Sequence, residues 1–276
     1  MLALPGTLTA ARIECCVSSL EGKHPPRRSS RGGTAVYMLE KPWVDFDAIR
    51  QGQDLVIIPT GAVEVYGQHL PAGTDTLVIT HVARLVGAQL GAPVLPALPV
   101  GFSRSLGDFP GTLTISTNTL MAYARECVES VIPWGFKRIL FLNSHRGNVG
   151  PLGEVAMELQ ARHGVTCAQV FWWDYVAALA PDIVDSAPHA NGHASEIGTS
   201  IMLYLEPELV VAERIQDQTP TSPAPYADII QYKGMRARSA TGVVGNPAVA
   251  TAAKGEEMVR RGVARIIAFV RDEFGG

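Results

Sequence analysis

Residues 54–75 read DLVIIPTGAVEVYGQHLPAGTD, and their order decides the fold class. A near-continuous apolar run, LVIIP, passes into a loop punctuated by Gly67, Pro71 and Gly73, and a helical pattern follows over 75–90. A strand of that character is covered on both faces, and a strand leading into a helix is the repeating unit of a parallel sheet. The alternation continues along the chain. Further strand candidates lie at 93–100, 138–143 (RILFLN) and 165–172 (VTCAQVFW), and helical patterns cover 118–132, 149–163, 193–205 and 247–274. In the last of these, Ala252, Val259, Val263, Ile266, Ile267 and Val270 recur at helical spacing, so one amphipathic face is expected to cover the sheet. The expectation is an α/β protein, a single layered domain whose mainly parallel sheet is flanked by helices.

Composition narrows the function classes. The 276-residue chain carries 23 basic and 26 acidic residues, a formal charge of −3, with 18% charged and 47% hydrophobic residues. No overall basic field exists to draw nucleic acid or a membrane surface. No apolar run approaches the roughly 18 residues of a membrane span, and the N-terminus lacks a secretory pattern. Cys15, Cys16, Cys127 and Cys167 form no C-x-x-C pair, which fits reduced thiols in a cytoplasmic protein. Residues 1–37 differ from the remainder, 38–276. Their stretch GKHPPRRSSRGG has Lys23, Arg27, Arg28 and Arg31 with no acid, the composition of a disordered basic extension or of an arm that touches RNA or a partner. Met38 offers a second start. The loop 216–239, rich in proline, is long enough for a lid or a subunit contact.

Three polar clusters follow a strand or open a helix, where an α/β sheet presents side chains to a crevice. The loop after the first strand holds Glu64, Tyr66, His69 and Asp75, a set able to converge on a divalent cation; in the other reading Asp75 merely caps the following helix. NSHRGN, residues 143–148, places His145 at the end of an interior strand, as a ligand or as a solvated side chain, with Asn148 able to hydrogen-bond the loop. In HANGHASEIGTS, residues 189–200, a helix opening at His193 would put His193, Glu196 and Ser200 on one face. That face could deliver an acid/base pair, or Glu196 could satisfy first-turn amides.

In this order the clusters resemble the creatininase (creatinine amidohydrolase) family. Its motif G-S-x-E-Q-H-G-x-H-L-P-x-G-T-D is met by GAVEVYGQHLPAGTD from Gly61 to Asp75, and its N-G-H-x-x-N by NSHRGN. Its H-A-G-E-x-E-T-S is met by HASEIGTS from His193 to Ser200, and its F-P-G-T by residues 109–112. The resemblance spans about 44–272. It implies a creatininase-like layered α/β enzyme, a homo-oligomer of the kind that is commonly a hexamer, hydrolysing non-peptide C–N bonds in small cyclic amides, imides or formamides. A maturase branch that clips a short modified peptide belongs to the same family.

The resemblance also implies a metal site on Glu64, Asp75 and His145. The family's second ion shares the Asp but needs a His and a Glu where Tyr66 and Gly147 stand, and Gly192 and Gly198 replace two further acids. A phenol of ordinary pKa about 10 is a poor ligand and glycine offers none, so one ion is expected rather than two, unless His69 or Glu196 rescues the second. Zn²⁺ leads, and Mn²⁺ and Fe²⁺ suit the same donors. By the same resemblance His193 shuttles a proton and Glu196 is a ligand or a general base. Trp173 and Asp174 belong to an aromatic wall beside a flat substrate, with Tyr66 and His69 on the substrate side; the competing reading puts the tryptophans in the core. The glycine at 147 is shared with the formamide hydrolase and maturase branches. The lost ligands leave room for a lactone hydrolase or a biosynthetic cyclase. A non-catalytic oligomeric binding protein is a third reading, against which stand the titratable groups brought to one crevice.

Overall fold

The computed structural model describes residues 37–220, 226, 229 and 231–274. The expectation of a disordered extension falls outside the described residues except at its last position. There, Tyr37 is in place: it bridges to Val94, and the Arg84 guanidinium lies 4.9 Å from its ring centroid.

Three strands form a parallel sheet in the order β1 (Leu55–Thr60), β2 (Arg138–Asn143), β3 (Thr166–Phe171). Alternation along each strand sends successive side chains to opposite faces. Leu55, Ile57, Leu140 and Leu142 enter a core beneath α2 (Thr74–Leu90), α5 (Trp172–Leu179), α6 (Glu196–Leu205) and α7 (Ala252–Asp272). Val56, Ile58, Ile139 and Phe141 enter a second core beneath α3 (Thr117–Val131) and α4 (Val149–His163). A short helix, α1 (Trp43–Ile49), precedes the first strand. The architecture is α/β, with helices on both faces of a parallel sheet.

Residues 93–100, expected as a strand, lie along β1 but make only isolated parallel bridges, Val94 to Ile57 and Leu98 to Thr60. Pro93, Pro96 and Pro99 recur every third residue and remove the donors a continuous ladder needs, leaving Leu95 and Leu98 to donate to Ile57 and Pro59. The strand expected over 165–172 ends at Phe171. Trp172 opens α5, so Trp173 and Asp174 lie in a helical first turn rather than at a strand end. The helix expected from residue 247 begins at Ala252, where Thr251 caps the amide of Lys254, and 247–249 form a separate turn capped by Asn246.

The pairing of β1 with β2 sets Thr60 opposite Asn143, so the loops leaving both strands open on the same edge. Among the described residues no helix is long and apolar enough to cross a membrane.

Candidate metal centre

The loop after β1 supplies Glu64, the first turn of α2 supplies Asp75, and the loop after β2 supplies His145. One ligand atom from each lies within 4.8 Å of the others, and all three side chains are buried. His145 Nδ1 is 3.0 Å from Glu64 Oε2 and 3.3 Å from Asp75 Oδ2. Neighbours fix each donor. The Nε2–H of His145 donates to the Phe102 carbonyl at 3.0 Å, which selects the tautomer and turns Nδ1 toward the acids. The Trp173 indole donates to Asp75 Oδ1 at 3.0 Å, and the Ser103 hydroxyl donates to Glu64 Oε2 at 2.7 Å. Asn148, as expected, knits the loops: its amide donates to the Gly61 carbonyl and its oxygen accepts from the Phe102 amide.

Two acids so close and so deep need a counter-charge. Burial, with the Glu64 charge added, pushes Asp75 up to about 6 against the pull of His145 and Trp173. Burial alone would also raise Glu64, but its hydrogen bond and charge contact with His145 bring it below the usual range. His145 in turn is driven up to about 10, because hydrogen bonds to Asp75 and Glu64 outweigh the burial that opposes its charge. A protonated imidazole is one counter-charge that would balance the pair. A divalent cation meets the same electrostatic need with His145 neutral, and two carboxylates with one oriented imidazole nitrogen are a donor set for Zn²⁺, Mn²⁺ or Fe²⁺. The residues fit the ion.

The departures from the family pattern are mutually consistent. A side chain at Gly147 would start 2.1 Å from the Phe102 carbonyl oxygen, and one at Gly192 would start 1.8 Å from the Val244 carbonyl oxygen. Neither position admits an acid on this backbone. A Cβ at Gly198 would touch the Tyr66 ring at 3.3 Å, so the phenol takes the space of a side chain there. Burial, reinforced by the Asp75 and Glu64 charges, pushes the Tyr66 hydroxyl well above its usual pKa and keeps it protonated.

The model of the creatinine amidohydrolase family matches residues 40–270. The chain belongs to the creatininase family. Among its relatives, the mycofactocin precursor peptide peptidase of Mycolicibacterium smegmatis is 32% identical over 74% of this chain and 79% of its own. The creatinine amidohydrolase of Pseudomonas putida is 27% identical over 87% of this chain and 98% of its own. Solved manganese and zinc–zinc mutant forms of creatininase each cover 88% of this chain and all of their own, with TM-score 0.75 at 26% identity.

Within this creatininase-family fold, His193 and Glu196 are not delivered together. The helix begins at Glu196 rather than at His193, and Ala194, at φ 52°, turns the chain between them. His193 reaches the metal side: its Nε2–H donates to the Val65 carbonyl at 2.7 Å, and its ring lies 4.7 Å from that of Tyr66. Glu196 turns away. Its buried carboxylate accepts from the amides of Asp185 and Ser186, from the Ser186 hydroxyl and from Lys254 Nζ. The expectation of a ligand or general base at Glu196 is corrected by this geometry, because its oxygens are committed to an internal ion pair.

His69 is buried and bonded through Nε2 to the Thr199 hydroxyl at 2.9 Å, while its Nδ1 has no hydrogen-bond partner. Burial holds it down to about 4, hence neutral. It stands outside the three-residue metal group, as does Asp174, which receives Arg146 and Asn191 on one oxygen. Trp173 is buried in the core, as the competing reading has it, and its indole reaches Asp75. Ser103 escapes sequence reasoning: only its place shortly before Phe109, in the stretch leading to the F-P-G-T segment, hints at it.

Proposed function

We propose that this protein is a metal-dependent amidohydrolase that cleaves a non-peptide C–N bond in a small cyclic amide, imide or formamide, using one divalent ion. The convergence of Glu64, Asp75 and His145 carries the proposal. The steric closure at Gly147 and the protonated Tyr66 support one ion over two. Zinc is the first choice, with manganese and iron compatible, and the manganese and zinc forms of creatininase are in keeping with that donor set.

Amide resonance makes the carbonyl a poor electrophile and the amine a poor leaving group, so a nucleophile, a site for the oxyanion and a proton for nitrogen must all be supplied. When bound, the ion supplies acidified water and polarises the carbonyl. The chain's own residues do the rest. Because Nε2–H of His193 is held by Val65, Nδ1 is the atom that takes a proton and returns it to the departing nitrogen. Burial keeps this imidazole below its usual pKa and therefore neutral and ready to accept. Tyr66 lies between His193 and Trp173, whose ring centroid is 6.1 Å away, and the three form an aromatic wall for a flat substrate.

A second reading is favoured by one observation, the peptidase relative at 32% identity: the bond cleaved is an amide in a short peptide. Product analysis on cyclic amides, formamides and short peptides separates the two. The metal reading is tested by elemental analysis of the purified full chain. We expect close to one ion per subunit, falling below a tenth of that in Asp75→Ala and His145→Ala; full metal retention in both variants overturns the site.

A further inference from the structure

We propose that Arg146 makes this site selective for a substrate bearing a carboxylate beside the bond that is cleaved. The inference rests on the hydrolase reading above and extends it to substrate class. Arg146 directly follows the ligand His145, and its side chain is 71% exposed. Its guanidinium is held at two points: Nη2 donates to Asp174 Oδ1 at 2.6 Å, and Cζ lies over the Phe171 ring, 4.9 Å from its centroid. Asn191 donates to the same Asp174 oxygen at 2.9 Å, so that carboxylate is itself steadied.

The consequence lies in what is left over. Nε and Nη1 of Arg146 have no protein partner among the described residues; each shares a carboxylate-matching face of the guanidinium fork with Nη2, which carries a second hydrogen beside the one given to Asp174, so one two-point face stays open. A guanidinium set over an aromatic ring and tethered at one corner has already lost side-chain freedom, so binding an anion costs less further entropy. Asp174 follows Trp173, whose indole is bonded to the ligand Asp75, and this chain of contacts ties the fork to the metal group. The Asp174 charge is already engaged by Arg146 and Asn191, which limits its repulsion of an incoming anion.

The shared chemistry, a free carboxylate, has two sources: a carboxylate on a small cyclic amide and the C-terminus of a short peptide. Matched probes distinguish them. The metal-loaded full chain is given 5-oxoproline against its primary amide, hydantoin-5-acetate against hydantoin, and a tripeptide with a free against an amidated C-terminus. Binding is followed by calorimetry and hydrolysis by product analysis. We expect at least one pair to favour the charged member by tenfold or more. Arg146→Leu brings the ratio near one, and Arg146→Lys keeps part of it, since an ammonium retains charge but not the fork.

Charged-member binding that depends on Arg146 without hydrolysis keeps this proposal and overturns the hydrolase reading. Hydrolysis with no preference for the charged member, or with a preference unchanged in Arg146→Leu, overturns this proposal and keeps the hydrolase reading. Failure of every charged probe to bind at millimolar concentration also overturns it.

Discussion

Glu196 carries its charge where solvent does not reach, and Lys254 is the cation that makes this tolerable. The ammonium also binds Asp185 and the Val249 carbonyl, so one side chain ties α6, α7 and the loop before His193 together. Removing it strands a buried carboxylate. Lys254→Met is therefore expected to cost about 3–5 kcal/mol of unfolding free energy, read from urea titration. A loss within error of zero would mean that the pair is not formed. The pH dependence has a definite sign. Burial raises Glu196, but donors led by Lys254 and Ser186 overcome it and hold the group below its ordinary 4.5. Its contribution is complete above that value and is lost as pH falls through the depressed one, so the wild type should lose stability more steeply than Lys254→Met below about pH 4.5. Nothing in the segment HASEIGTS distinguishes Glu196 from a catalytic acid. The distinction comes from Lys254, far along the chain, and from the positive φ of Ala194 between Glu196 and His193.

At the scale of elements, α6 and α7 pack closely, and glycine sets the distance between them. A Cβ at Gly255 would fall 2.0 Å from the Ser200 carbonyl oxygen, a backbone atom that cannot step aside. Glycine-to-alanine changes inside helices ordinarily stabilise by about 0.5–1 kcal/mol. Here the helices would have to separate, and Gly255→Ala should instead destabilise by about 1–3 kcal/mol, measured as a lower urea midpoint. A higher midpoint would show that the contact yields. The elements themselves are largely legible in the chain: α4 spans the residues its pattern predicts, and α2 and α3 begin one residue early. The strand expected at 93–100 misleads because its apolar content matches a strand while its prolines deny it the donors.

For the molecule as a whole, the candidate centre couples metal to fold. Glu64, Asp75 and His145 come from two loops and a helix start that meet only when β1 and β2 are paired, so an ion that binds them favours the native state over the unfolded one. Zinc at about a hundred times its dissociation constant is worth about 2.7 kcal/mol, or roughly 5–10 °C in melting temperature for a domain of this size. Scanning calorimetry should show that rise in the wild type and its loss in Asp75→Ala. A shift of equal size in both would place the stabilising ion elsewhere.

The sequence by itself determines that strands and helices alternate, that the apolar runs of β1 and β2 are buried on both faces while the like expectation fails at the half-exposed β3, and that two acids follow one strand and a histidine follows another. These are local patterns, set by side-chain period and turn chemistry over a few residues. Only the tertiary structure decides that Ser103 and Phe102 orient the ligands, that Glu196 joins Lys254 rather than His193, and that backbone oxygens close the space at Gly147 and Gly192. Those outcomes depend on distances between segments remote in the chain, which loop paths and packing fix and which no spacing of residues encodes.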